Sequence, residues 1–171
     1  SLDITKYVNK DGSPNTLAVH LQNVEESSRW YPGAGLIRPV KLITTGSCYL
    51  DEWDINVETK SWNWEETTAT IKISVYLDGD FEEKKIVRFS THVRTIDVNP
   101  EAVDCLGRSV ATTELTMDDV ECWSPEKPQL YDLTVSIIAD NGKGKVLDSK
   151  TVKYGIRTVE VSDQGRFVLN G

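Results

Sequence analysis

The sequence has 171 residues, of which 39% are hydrophobic and 27% charged, with a formal net charge of −8 at pH 7. This length suits one large domain, or one domain with part of another, and the composition favours a packed core over disorder. The acidic balance argues against nucleic acid and against an anionic membrane surface as partners, since both require concentrated Lys and Arg. No C-x-x-C spacing occurs, so we expect no zinc site, and no motif indicates another metal or a cofactor.

Two segments near the start of the chain have the apolar alternation of strands. TLAVHLQN places its apolar residues on one face, and GLIRPVKLI follows the loop SSRWYPGAG. Because a lone strand pair is marginal in water, we expect this pair to belong to a neighbouring domain. Its bare edge should pack on the rest of the chain or pair with a second copy, giving a homo-oligomer. The loop carries the best ligand candidates, Arg29, Trp30 and Tyr31.

About seven candidate strands follow between Cys48 and Arg157. EWDINVE aligns Trp53 with the apolar residues of its strand, and ATIKISVYL, IVRFSTHV and LYDLTVSII alternate in the same way. Period-two alternation indicates strands with one buried face, and several short strands separated by turn residues predict an all-β sandwich of immunoglobulin-like type. We therefore expect Trp53 in the core.

Four further aromatic residues have structural or binding interpretations. Trp62 and Trp64 in SWNWEE lie two residues apart, so both can point the same way as a platform for sugar rings, or form a packing edge. Trp123 precedes the turn SPEKP and is expected in the core. Tyr131 begins the next strand and could anchor that turn through its hydroxyl, in the manner of a tyrosine corner.

Several motifs occur in an order that resembles glycoside hydrolase family 2, which comprises β-galactosidases, β-glucuronidases and β-mannosidases. They are NTLAVHLQN, SSRWYPGAGLIRPVKLI, CWSPEKPQLYDLTVSI, VKYGIRTVEV and GRFVLNG. The resemblance implies that residues 1–43 are the last strands of a truncated sugar-binding jelly roll and that 44–158 are an immunoglobulin-like sandwich. Residues 159–171 would then lead into an absent TIM-barrel catalytic domain, with Arg157 fixing how the two modules meet.

The resemblance also implies what this chain does and does not carry. Retaining glycosidases need two carboxylates flanking the scissile bond, and the family supplies both from the barrel. The acids of this chain lie beside turns or on outer strand faces, so we expect no catalytic residue and no hydrolase activity.

The longer protein would hydrolyse terminal β-linked sugars, with β-galactosides favoured, in a bacterial cytoplasm or periplasm. Its partners would be its own jelly-roll and barrel domains and a carbohydrate substrate, with Arg29, Trp30 and Tyr31 reaching toward the barrel. The alternative is a free-standing carbohydrate-binding or adhesion sandwich.

Overall fold

The computed structural model describes residues 2–22, 35–79, 84–102, 108–140 and 144–171, without the side chains of Glu52 and Ala102. The chain divides into two compact units, Ser1–Ile43 and Thr44–Gly171. Within the described residues, the only helical element is one 3₁₀ turn, Thr5–Tyr7, and ten strands form the rest of the regular structure. No helix in this described part has the length and hydrophobicity that crossing a membrane requires.

The strands of the second unit form two four-stranded sheets and a hairpin. In chain order the strands are β1 Cys48–Asn63, β2 Thr68–Gly79, β3 Lys85–Ser90, β4 Thr95–Val98, β5 Glu101–Ala102, β6 Ser109–Met117, β7 Tyr131–Ala139, β8 Val146–Tyr154, β9 Val159–Val161 and β10 Phe167–Leu169. One sheet has the order β1-β2-β6-β5 and the other β4-β3-β7-β8, while β9 pairs with β10.

This strand order is that of an immunoglobulin-like sandwich. Its first sheet corresponds to strands A, B, E and D, and its second to C, F and G with one extra edge strand, β4. All pairs within the two sheets are antiparallel. The predicted all-β, immunoglobulin-like sandwich is therefore confirmed.

Apolar residues from facing strands fill the space between the sheets. In β2 buried positions alternate with half-exposed ones, and the buried set includes the predicted Ile71, Ile73, Val75 and Leu77. Val87 and Phe89 of β3 and the apolar residues of β7 complete the same cluster. Because each strand buries one face and leaves the other to polar residues, the register is strongly specified.

The first unit differs from its prediction. Residues 2–22 and 35–47 contain no strand, and the apolar residues of TLAVHLQN and GLIRPVKLI are exposed. The expected strand pair is therefore wrong for the described residues. The alternation of apolar and polar residues gives a segment the two faces of a strand. The strand forms, however, only where a neighbouring strand accepts and donates its backbone hydrogen bonds. The assignment of this unit to a truncated sugar-binding domain stays a prediction, as does its pairing with a second copy.

Candidate functional site

The loop that carries Trp123 is fixed to the segment that follows β8. The backbone N–H of Trp123 donates to the carbonyl of Ile156 over 2.7 Å, beside a parallel bridge between Cys122 and Ile156. The indole packs so closely on Gly155 that a Cβ at that position would lie 2.9 Å from the Trp123 Cβ. Trp123 is half-buried rather than a core residue, and its ring lines an open hollow together with Val57, Thr59 and Leu130.

Arg157 covers the outer side of this loop. Its guanidinium carbon lies 5.3 Å from the centre of the Trp123 ring, close enough for a cation–π contact. Its backbone N–H donates to the Thr59 hydroxyl of β1 over 3.2 Å. Arg157 therefore connects the first strand of the sandwich with the Trp123 loop, and its role in fixing how two modules meet stays a prediction.

Asn170 joins the β9–β10 hairpin to the same loop. Its side-chain oxygen accepts the Thr158 N–H, its side-chain nitrogen donates to the Trp123 carbonyl, and both distances are 3.0 Å. The backbone N–H of Asn170 also donates to the Thr158 carbonyl over 2.9 Å. Its φ of 59° lies in the left-handed region, which Asn tolerates better than most residues. The sequence analysis missed this residue, although the Asn-Gly dipeptide at the end of the hairpin is a turn signal.

Tyr131 anchors the loop at its other end. Its hydroxyl accepts the Glu121 N–H over 2.7 Å, as expected for a tyrosine at the start of the F-type strand. The ring also stacks on His92, with centroids 4.9 Å apart.

Tyr154 lies beside Tyr131 and donates a hydrogen bond to the Met117 sulfur. Burial, with a smaller contribution from Tyr131, raises the pKa of Tyr154 to about 12. We call Trp123, Tyr131, Arg157 and Asn170, with the backbone they hold, the junction.

The hairpin held by the junction presents an apolar face. Val161 pairs directly with Phe167, and Val159 with Leu169, so these four side chains share one side of the ribbon. All four are exposed, and Phe167 is 84% exposed. An apolar face of this kind is typical of a surface that another protein segment covers.

The other predicted tryptophans do not form a joint platform. Trp62 packs against the core, whereas Trp64 begins the turn after β1 and is 74% exposed. Trp53 was expected in the core and is 84% exposed, because a bulge in β1 turns it outward. Arg29, Trp30 and Tyr31 lie outside the described residues.

Among the described residues, the pKa values of the Asp3, Asp11 and Asp97 carboxyls are lowered. For Asp97 the main cause is the hydrogen bond from Arg88. The described part of the chain also holds no cluster of three or more side chains able to bind a metal ion.

The sheet order and the tyrosine anchor define an immunoglobulin-like β-sandwich domain. A model of the family Glycosyl hydrolases family 2 matches residues 37–157. The Beta-galactosidase BoGH2A of Bacteroides ovatus is 29% identical over 188 residues, which cover 100% of this chain and 20% of that protein. Human Beta-glucuronidase is 29% identical over 189 residues, covering 99% of this chain and 27% of that protein.

Among solved structures, a β-glycosidase from Bacteroides vulgatus superimposes with a TM-score of 0.63 at 24% identity, over 84% of this chain and 18% of that chain. The chain belongs to glycosyl hydrolases family 2, which confirms the resemblance noted in its sequence motifs. It spans between 20% and 27% of the length of the two relatives compared above.

Proposed function

We propose that this chain is a non-catalytic module of a retaining glycoside hydrolase and that it holds the other domains of that enzyme in position. The observation that carries the proposal is the apolar hairpin face of Val159, Val161, Phe167 and Leu169, which is exposed yet rigidly attached through Asn170. A surface hairpin gains nothing from four exposed apolar side chains unless another domain covers them. The junction would then set the direction in which that domain leaves the sandwich.

The reaction of the longer protein follows from the relatives. They are named β-galactosidase and β-glucuronidase, so we propose hydrolysis of terminal β-linked sugars, with β-galactosides as the favoured substrates. A double displacement needs two carboxylates about 5 Å apart, and these would come from a TIM barrel. The jelly-roll and barrel domains of the same chain are the proposed partners.

The hairpin proposal is tested by one substitution in two settings. Phe167→Ser should leave the melting temperature of the 171-residue chain unchanged, since this side chain is exposed. In the longer protein the same change should lower the melting temperature and the activity. The matched control is Glu160→Ser, because Glu160 pairs with Val168 on the opposite side of the ribbon. Equal effects of the two substitutions in the longer protein would refute a docking role for the apolar face.

A separate assay addresses catalysis. The purified 171-residue chain should turn over neither an aryl β-galactoside nor an aryl β-glucuronide. Turnover that co-purifies with the chain through several columns would overturn the proposal and favour an activity of the fragment itself. The alternative, a free-standing carbohydrate-binding sandwich, predicts a hairpin face that no other domain covers.

A further inference from the structure

The bulge in β1 is a feature that the proposed linker role does not use. Leu50 pairs with Leu77 of β2, and the next pair is Ile55 with Val75. Four residues of β1, 51–54, thus stand opposite the single residue Tyr76. Bulges of this kind re-aim side chains and occur preferentially where function needs them.

Contacts from two other parts of the sandwich hold the bulge. On one side the Asp148 carboxylate of β8 accepts the Leu50 N–H over 2.8 Å. On the other side Arg108 donates to Asp54 over 3.1 Å, and its guanidinium lies 4.7 Å from the centre of the Tyr76 ring.

Within the bulge, the Asp51 carboxylate accepts the Trp53 N–H over 3.0 Å, which closes a local turn. The bulge is therefore a built conformation rather than an irregular stretch, and it presents the Trp53 side chain to solvent.

Trp53 borders a shallow hollow of about 350 Å³ along the edge of β8. The remaining lining residues are Thr151, Val152 and Lys153. Val152 packs inward against the core, so the polar surface next to the indole comes from the Thr151 hydroxyl, which pairs with Thr134, and from the Lys153 ammonium, which pairs with Asp132. Each of these groups keeps a further donor or acceptor position for a sugar hydroxyl.

We propose that Trp53 is a stacking platform for a β-linked pyranose. The C–H bonds on one face of such a ring carry partial positive charge and are attracted to the negative face of an indole. The ring hydroxyls would then lie within reach of Thr151 and Lys153. A small polyol fits this surface better than a protein segment does, because the aromatic side chain stands among polar groups and not in a continuous apolar patch like that of the hairpin.

The site lies along the edge of β8, and Lys153 also lines the neighbouring hollow beside the junction. Only the choice of sugar rests on the proposed function, because galactosides and glucuronides are taken from the relatives' names. A failure of the hairpin experiment would leave the Trp53 site standing, and the reverse also holds.

The test is ligand-observed NMR on the 171-residue chain with lactose and methyl β-D-glucuronide. We expect saturable binding in the millimolar range, where single-site stacking on an exposed surface belongs. Trp53→Ala should weaken it at least about tenfold, the loss expected when a stacking interaction worth roughly 1.4 kcal/mol is removed. Trp64→Ala is the matched control, since Trp64 is a comparably exposed tryptophan on the same strand's following turn.

Any of the following results would overturn the proposal. Absence of saturable binding to either sugar would exclude the platform, and equal loss in both variants would assign binding elsewhere. Sedimentation of the same variants tests whether the surface binds a second copy of the chain instead of a sugar. If Trp53→Ala abolishes self-association and leaves sugar signals unchanged, the surface is a protein interface. Melting curves of both variants should match the parent chain, because each removes an exposed side chain.

Discussion

Replacement of Gly155 by alanine should destabilise the sandwich, because the added Cβ would overlap Trp123. The new Cβ would lie 2.9 Å from the Trp123 Cβ and 3.1 Å from its Cγ and Cδ1. Trp123 cannot retreat easily, since its N–H is bonded to the Ile156 carbonyl and its own carbonyl accepts from Asn170. Overpacking of this kind costs about 1–3 kcal/mol, so the melting temperature should fall by roughly 3–10 °C for a unit of this size.

Urea unfolding followed by circular dichroism measures this loss, and near-ultraviolet ellipticity reports the displaced indole. Gly46→Ala is the control, because its Cβ would meet only the Cys48 carbonyl at an ordinary 3.7 Å. A Gly155→Ala chain as stable as the parent, or one no less stable than Gly46→Ala, would refute the idea that Trp123 is locked in place.

Three further predictions concern the junction and the neighbouring Tyr154. Tyr131→Phe removes the acceptor of the Glu121 N–H and should lower the free energy of unfolding by about 1 kcal/mol; an unchanged urea midpoint would argue against the anchor. Tyr154 has a folded-state pKa of about 12 against an ordinary value of 10.0, so its contribution is fully present below pH 10 and is lost as pH rises toward 12. Between pH 10 and pH 12 the parent chain should therefore lose roughly 2 kcal/mol more of its free energy of unfolding than Tyr154→Phe does, as measured by unfolding titrations. Asn170→Asp keeps the oxygen that accepts the Thr158 N–H, whereas Asn170→Ala does not, so hydrogen exchange at Thr158 should accelerate only in the alanine variant.

The strands in which apolar and polar residues alternate clearly were predictable, because this alternation by itself indicates a strand with one buried face. In β2 every second residue from Ile71 to Leu77 is apolar, and each of these is buried. The anchor of Tyr131 was predictable for a similar reason, since its place at the start of a strand after a proline-rich turn is itself informative.

Trp53 could not be placed correctly from its own strand. It alternates in phase with Ile55 and Val57, so the sequence suggested one continuous face. The break between Leu50 and Ile55 depends on Asp148, 98 residues away from Leu50, and on Arg108. Within the strand, the only contact described for the bulge is the turn between Asp51 and Trp53, and its other contacts come from residues that are distant in the sequence.

The outer faces of the two sheets indicate where contacts with other domains should form. Hydroxyl pairs cover both faces: Thr70 with Thr116 on one sheet, and Thr134 with Thr151 on the other. Such faces are satisfied in water and gain little from being covered. The apolar hairpin, Trp53 and Trp64 are among the exposed apolar features that differ from this pattern, and all three lie at the margins of the sandwich. Recognition by this module should therefore occur at its ends and edges, with the sheets serving to hold those edges rigid.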